Sequence, residues 1–187
     1  YNKYPNKKYS FFTNGIDQDF INNIFKNNII NSKKIEKRLT ILYAGNIGVG
    51  QGLEKIIPQI SKKLEDKIIF KIFGSGSLAS KLELKIKESK CSNILLLTPI
   101  RRDKMIHEYI KADILFLHLN DYDAYKKVLP SKIFEYAATG KPIWAGVDGY
   151  AKKFLNEEVI GSWIFEPSSI NSAIKLTPIK VIPNSCI

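Results

Sequence analysis

The sequence predicts an α/β fold with a doubly wound, mostly parallel six-stranded sheet and helices on both of its faces. From about residue 39, short apolar runs alternate with amphipathic stretches, as in strand and helix units around a parallel sheet. Glycine-rich turns follow the first two apolar runs. The 187 residues are 44% hydrophobic, which is enough for one full core but short of two.

The elements follow in order from these patterns. LTILYAG at 39–45 predicts the first strand. Leucines and isoleucines at helical spacing then predict a helix over 53–64, bent or broken early at Pro58 because proline lacks the N–H that a helix needs. The same alternation predicts strands over 67–74, 93–97, 113–119, 142–146 and 159–165, and helices over 77–89, 102–110, 131–139 and 150–156. In such sheets ligands bind beyond the carboxyl ends of the strands.

The chain is strongly basic, with a formal net charge of +11, and only three of its 29 basic residues are arginines. Lysines spread through most predicted helices indicate a solvated basic surface. Proteins that read nucleic acids usually place arginines against phosphates and bases, so no nucleic acid partner is expected. A non-catalytic module that binds nucleic acid or an anionic membrane is the alternative function.

Cysteine usage and hydropathy argue against further classes of protein. Cys91 and Cys186 lie far apart and in no metal-ligand spacing, which favours a reducing compartment over a disulfide framework or a zinc site. No run approaches the ~20 apolar residues that cross a bilayer, and the first residues lack the apolar run of a signal peptide. A polar opening segment without an initial methionine predicts a fragment whose beginning lies upstream.

A glycine-rich turn, GNIGVGQG at 45–52, lies between the first strand and the first helix. Bare backbone amides and the helix dipole at such a turn favour a phosphate. The dinucleotide fingerprint and its acidic residue at the end of the second strand are absent, which argues against a nicotinamide enzyme. Two interpretations stay open, an anion site or a tight turn that merely needs glycine, and GSGS at 74–77 leaves a similar choice.

The segment LPSKIFEYAATGKP at 129–142 carries the clearest signals. Pro130 and Ser131 begin a helix, and Gly140 ends it. Glu135 falls one turn into this helix, where its carboxylate could accept hydrogen bonds from the two hydroxyls of a ribose. From the residues alone, Glu135 is equally well explained as a surface residue that the helix dipole stabilises.

The stretch PSKIFEYAATGKPI resembles the nucleotide-sugar motif of the retaining, GT-B-fold glycosyltransferases of family 4, especially those that build bacterial surface polysaccharides. Further segments agree with that family in order and spacing: TNGID at 13–17 with Phe20, YAGNIGVGQGLEKII at 43–57, FKIFGSGS at 70–77 and IRRDKMIHEYIKADILFL at 100–117.

The resemblance implies a Rossmann-like, donor-binding domain over 39–187, with 1–38 near the junction to an acceptor-binding domain that would precede residue 1. It also implies roles for particular residues. Glu135 would hold the donor ribose, and the pyrophosphate would lie near Gly48, Gly50, Gly52 and Ser131. The base would be flanked by Gly74, Gly76, Pro99, Ile100 and Arg101.

Two departures from the family pattern matter. Many relatives have an arginine and a lysine where this chain has the neutral residues Asn46 and Gln51. The diphosphate charge then needs other cations, for which Lys127 and Lys132 are candidates, with Lys126 and Arg101. Relatives also carry an earlier glutamate that contacts the transferred sugar; no glutamate lies within 109–134, so the sugar is left open.

Other candidate residues carry weaker signals. His118 lies at a predicted strand end and is a possible contact on the sugar side of the donor, with a packed histidine as the alternative. Asp121 and Asp123 form a D-x-D, which holds a divalent cation in a different glycosyltransferase fold. Because the rest of the chain resembles the metal-independent fold, neither a metal nor another cofactor is expected.

The expected function is therefore hexosyl or N-acetylhexosaminyl transfer from a nucleotide diphosphate sugar to a glycan or lipid-linked acceptor, with retention, in cell-surface polysaccharide synthesis. The expected location is the cytoplasm, with peripheral association at the inner face of an anionic membrane as an option. Without an acceptor-binding domain, the isolated chain is expected to be inactive.

Overall fold

The computed structural model describes residues 15–27 and 38–180, and it confirms the predicted six-stranded sheet. All strand pairs are parallel, in the order β3-β2-β1-β4-β5-β6. The strands are β1 Leu39–Asn46, β2 Ile68–Ser75, β3 Ile94–Leu97, β4 Ile114–His118, β5 Ile143–Gly146 and β6 Ser162–Phe165. The strand order reverses between β1 and β4, which is the switch point where doubly wound sheets bind ligands.

Helices cover both faces of this sheet. They are α1 Gln18–Asn27, α2 Leu53–Lys63, α3 Ala79–Ser89, α4 Arg102–Lys111, α5 Lys132–Ala138, α6 Gly149–Glu158 and α7 Ile170–Lys175, with short 3-10 helices at Asp123–Lys127 and Pro178–Lys180. Helices α1, α4, α5 and α6 pack in one apolar cluster, and α2, α3 and α7 in the other.

The alternation of side chains along β1 separates the two cores. Leu42 and Ala44 belong to the cluster under α4 and α5, whereas Ile41 and Tyr43 belong to the cluster under α2 and α3. Successive residues of a strand point to opposite faces, so a sheet covered on both sides needs apolar residues at nearly every position. This explains the continuous apolar runs by which the strands were predicted.

The predicted break at Pro58 is wrong, because α2 runs through this residue without interruption. A proline inside a helix costs about 3 kcal/mol. Against this, Ile56, Ile57 and Ile60 are fully buried around Pro58, and each such side chain contributes about 1.5–3 kcal/mol. Burial on both sides of the proline therefore outweighs the hydrogen bond that it removes.

Two helices of the structure have no counterpart in the sequence prediction. α1 lies within the segment 1–38 and packs on the domain through the buried side chains of Phe20 and Ile24. α7 has only six residues, too few for a clear periodicity. Cys186 and the first two residues of TNGID lie outside the described residues.

Candidate functional site

A cleft of about 510 Å³ opens at the carboxyl ends of β1 and β2. Its walls are the ends of these strands, the loop after β3, and the facing sides of α4 and α5. Five of the predicted site residues, which come from three separate parts of the sequence, line it: Gly74, Pro99, Ile100, Lys132 and Glu135.

Glu135 stands on α5 at one wall of the cleft, with 19% of its side chain exposed. Its Oε2 accepts hydrogen bonds from Lys132 Nζ at 2.6 Å and from the Tyr109 hydroxyl at 3.0 Å. Burial, and then the neighbouring Tyr136 and Glu135, raise the pKa of Tyr109 well above its ordinary value, so its hydroxyl remains a donor. The carboxylate is thus held in a fixed orientation, which helps any group that must receive a ligand.

Arg102, rather than Arg101, lines the cleft. Arg102 Nη1 lies 2.5 Å from Asp17 Oδ2, and Nη2 lies 3.8 Å from Glu135 Oε1. Its guanidinium lies 5.0 Å from the centre of the Phe20 ring, so it also contacts α1. The backbone N–H of Phe20, and then Arg102, lower the pKa of Asp17.

The orientation of α4 explains why Arg102, and not the predicted Arg101, lines the cleft. Arg102 shares a helix face with Met105 and Tyr109, and these three side chains line the cleft. Arg101 precedes the helix in an extended conformation, and its side chain is 83% exposed and paired with Asp103. The spacing of 102, 105 and 109 is the signal that could have identified Arg102 and Tyr109 from the sequence.

The glycine-rich turn between β1 and α2 is tied to the end of β4. Backbone carbonyls of Val49, Gly50 and Gln51 accept hydrogen bonds from Asn120 Nδ2, Asn120 N and His118 Nδ1 at 3.0, 2.8 and 2.6 Å. These three bonds fix the path of the turn.

The side chain of Gln51 folds back over this turn. Its Oε1 accepts hydrogen bonds from Asn46 Nδ2 at 3.0 Å and from the backbone N–H of Gly48 at 3.3 Å. Asn46 lines the cleft, so the hydrogen bonds of Gln51 connect the cleft wall at Asn46 to the turn at Gly48.

The glycines of the two turns have separate structural reasons. Gly52 has a φ of 56°, in the left-handed region that side chains disfavour. Gly76 has a φ of 151°, and a side chain there would begin 2.5 Å from Asn46 Oδ1 and from the carbonyl oxygen of Ile47. Close packing of the two turns therefore accounts for Gly76. Gly48, Gly50, Gly52 and Gly76 do not themselves line the cleft.

Two residues predicted at the pyrophosphate lie on the surface. Ser131 is exposed at the start of α5, and its side chain makes no capping hydrogen bond. Lys127 is exposed at the end of the 3-10 helix Asp123–Lys127. Lys132 differs from both, because it reaches into the cleft and pairs with Glu135.

His118 is fully buried at the end of β4, so its side chain is not presented to the cleft. Nδ1 donates to the carbonyl of Gln51, and Nε2 accepts the backbone N–H of Ser168 at 3.0 Å. Burial lowers the pKa of His118 to about 4, so the ring is neutral near pH 7. The contact with Ser168 joins residues far apart in the sequence, which explains why a strand-end position alone suggested exposure.

Within residues 15–27 and 38–180, no group of three or more histidine, cysteine, aspartate or glutamate side chains is arranged to hold a metal ion. The Asp123 side chain of the D-x-D is 96% exposed and pairs with Lys126. In the same ranges, none of the helices has the length and apolar character that a membrane span requires.

A doubly wound parallel sheet, with a cleft at the carboxyl ends of β1 and β2 and a glycine-rich turn before the next helix, is typical of the class of α/β domains that bind nucleotides. The family can be stated more closely. Residues 25–178 match the sequence profile of the glycosyl transferases of group 1, and the chain belongs to that family.

The relatives are consistent with this assignment. The chain is 30% identical over 105 residues to a putative colanic acid biosynthesis glycosyl transferase, WcaI, of Escherichia coli, a match covering 56% of this chain and 26% of that protein. This chain therefore corresponds to only part of the length of that curated relative.

Solved glycosyltransferases share the fold. Anabaena HepE, solved with UDP and glucose, superimposes with a TM-score of 0.67 at 13% identity, over 92% of this chain and 47% of that one. Staphylococcus aureus TarM, solved with UDP, gives a TM-score of 0.67 at 14% identity over 99% and 35%. The C-terminal domain of Francisella tularensis LpcC gives 0.59 at 13% identity over 92% and 87%.

Proposed function

We propose that this domain binds the nucleotide diphosphate sugar donor of a retaining glycosyltransferase of bacterial surface-polysaccharide synthesis. The acceptor, a glycan or lipid-linked sugar, would be bound mainly by a second domain, so residues 1–187 alone are expected to bind the donor without turnover. The similarity to WcaI supports the polysaccharide context. The UDP in the HepE and TarM structures makes UDP the first nucleotide to test.

One observation carries the proposal. Glu135 shares a single cleft with Gly74 and with Pro99 and Ile100. In our assignment the base lies against Gly74, Pro99 and Ile100, and the ribose lies at Glu135. The cleft volume of about 510 Å³ falls within the range of sites that bind small ligands.

The carboxylate of Glu135 has the capacity to receive a ribose. Lys132 and Tyr109 both bond Oε2, while Arg102 Nη2 lies 3.8 Å from Oε1. A carboxylate offers about four acceptor positions. Two hydroxyl hydrogen bonds can therefore be added without removing the bonds that orient the side chain.

We assign charge stabilisation to the cations of the cleft. Departure of a nucleoside diphosphate leaves negative charge that preorganised positive groups stabilise. Lys132 and Arg102 both line the cleft, and Lys127 on the adjacent surface is a further candidate. Since these side chains can supply the positive charge, we propose that donor binding needs no metal ion. The remaining task of the domain is to position the donor for attack.

The test is calorimetric titration of residues 1–187 with UDP, GDP and ADP in EDTA, followed by Glu135→Gln. This change keeps the size but removes the charge assistance that makes each such hydrogen bond worth about 1.5–3 kcal/mol instead of about 1. Affinity for the diphosphate that binds should fall by about 5- to 150-fold, or roughly 1–3 kcal/mol. Glu157→Gln, on the exposed surface of α6, is the matched control.

A 2′,3′-dideoxy diphosphate lacks the ribose hydroxyls, so it should bind wild type weakly, and its affinity should be the same for Glu135→Gln. Equal binding of ribose and dideoxy forms by Glu135→Gln and wild type would sink the ribose assignment. Loss of binding in EDTA with recovery in Mn²⁺ would overturn metal independence. Tight, salt-sensitive binding of a random DNA duplex, without nucleotide binding, would favour the basic-module alternative.

A further inference from the structure

We propose that the side chain of Gln51 is a placeholder: it occupies the position that a diphosphate oxygen takes when the donor binds, and it thereby lowers the affinity of the site for diphosphates. Donor binding would then displace Gln51 from the glycine-rich turn. This inference rests on the proposed function, because it describes how the same site recognises its diphosphate.

The hydrogen bonds of Gln51 Oε1 are those that an anionic oxygen would make. This carbonyl oxygen accepts from Asn46 Nδ2 at 3.0 Å and from the Gly48 N–H at 3.3 Å. A side-chain amide and a backbone amide at a turn before a helix form a typical anion-binding pair. Asn46 lines the cleft, so a ligand there has access to one of these donors.

The side chain of Gln51 can leave without moving the backbone. The backbone of Gln51 is held separately: its N–H donates to the Gly48 carbonyl at 3.1 Å, and its backbone carbonyl accepts from His118 Nδ1 at 2.6 Å. The side chain is only partly buried. The hydrogen bonds that hold it, from Asn46 Nδ2 and the Gly48 N–H, join neutral groups and are therefore weaker than charge-assisted bonds.

The two glycines beside Asn46 leave space for its side-chain amide. A side chain at Gly48 would begin 2.6 Å from Asn46 Nδ2, and one at Gly76 would begin 2.5 Å from Asn46 Oδ1. A larger residue at either glycine would displace the amide.

The competition acts on diphosphates alone. An anionic oxygen makes hydrogen bonds about twice as strong as those of a neutral carbonyl, so a diphosphate can displace Gln51. A nucleoside has no such oxygen and binds with Gln51 in place. Because the diphosphate needs Gln51 displaced, its apparent affinity is lowered in proportion to the fraction of molecules in that state, whereas the affinity for the nucleoside is not.

The experiment compares Gln51→Ala and Gln51→Glu by titration with UDP, GDP and ADP and with the corresponding nucleosides. Gln51→Ala removes the competing acceptor, so diphosphate affinity should rise by about 2- to 10-fold. Gln51→Glu places a carboxylate on the same donors, so diphosphate affinity should fall by about 10-fold or more. Nucleoside affinity should not change. Gln59→Ala and Gln59→Glu, at an exposed position of α2 where the side chain bonds the Lys55 carbonyl, are matched controls.

A second measurement needs no variant. In wild type, the amide resonance of Gly48 and the side-chain amide resonance of Asn46 should shift on adding the diphosphate but not the nucleoside. If the diphosphate binds wild type while these resonances stay unchanged, or if Gln51→Ala weakens binding as Gln51→Glu does, Gln51 is not a placeholder and the donor site still stands. If no diphosphate binds wild type, the proposed function fails together with this inference.

Discussion

Two polar clusters lie at the same edge of the sheet and differ in almost every physical respect. The cleft cluster, Tyr109, Lys132 and Glu135, joins two charged groups, and Glu135 is 19% exposed. The histidine cluster, His118, Asn120 and Ser168, joins neutral side chains, and His118 is fully buried. The first can reach a ligand, while the second reaches only other parts of the protein.

The difference shows that charged and neutral polar groups have separate roles at this edge of the sheet. Buried charges are costly unless paired, so charged groups are kept where water or a ligand can contact them. Neutral groups with every hydrogen bond satisfied can be buried at little cost, and they then fix the backbone. The histidine cluster fixes the glycine-rich turn, and we infer that it positions the turn for a ligand held by the cleft cluster.

The largest expected effect comes from breaking the histidine cluster with His118→Phe. Phenylalanine keeps a flat ring against Phe116 and Phe165, which stack on His118 at centroid distances of 6.4 and 6.0 Å. It leaves the Gln51 carbonyl and the Ser168 N–H without a partner. Each unsatisfied buried group costs about 1–3 kcal/mol, so the free energy of unfolding should fall by about 2–4 kcal/mol in urea denaturation.

His107→Phe is the control, because His107 is exposed on α4. If His118→Phe unfolds at the same urea concentration as this control, the hydrogen bonds of His118 do not stabilise the turn.

The pH dependence of stability sharpens the same comparison. Burial lowers the pKa of His118 from 6.5 to about 4, so between these values the unfolded chain binds a proton that the folded chain does not. Stability from this group is therefore complete above pH 6.5 and is lost as the pH falls toward 4, by up to about 3 kcal/mol. Urea denaturation of wild type and His118→Phe across this range measures the difference, which should shrink as the pH falls. A constant difference would mean that His118 titrates normally.

Most of the fold could be predicted from the sequence because its signals are local. A strand buried on both faces appears as a continuous apolar run, and five of the six predicted strands begin and end within one residue of the observed ones. The exception, β6, begins at Ser162 instead of 159 because Gly161, with a φ of 82°, separates the apolar Val159 and Ile160 from the strand. α7 was missed because it has only six residues, and α1 because three of its ten residues are asparagines, which favour helices weakly.

The candidate site was predicted less completely because its geometry is not local. Glu135 was predicted from a helix motif, and Gly74 and Pro99 follow strands, so local signals suffice to bring all three to the cleft. Tyr109 and Arg102 share a helix face by their spacing, but which face of α4 meets the cleft depends on how the helix packs against α5 and α1. His118 was predicted as a possible sugar-side contact, with a packed histidine as the alternative, and nothing near it in the sequence indicates that Ser168 covers it.

The smallest expected effect is a difference between Tyr109, which lines the cleft, and Tyr136, which is fully buried behind it; their rings meet edge to face at 5.5 Å. Tyr136→Phe removes the acceptor of the buried Ala44 N–H at 3.1 Å, so the free energy of unfolding should fall by about 1–2 kcal/mol. Tyr109→Phe removes one donor to Glu135, but Lys132 still bonds the same oxygen, so stability should fall by about 0.5–1 kcal/mol.

In titrations with the diphosphate, we expect the opposite order of effects, with the larger loss in Tyr109→Phe. Tyr109→Phe loosens the carboxylate that we assign to the ribose, and affinity should fall by about 2- to 5-fold. Tyr136→Phe leaves the bonds of Glu135 intact and should bind like wild type. Equal affinity losses in the two variants would mean that the cleft cluster serves packing, as the histidine cluster does.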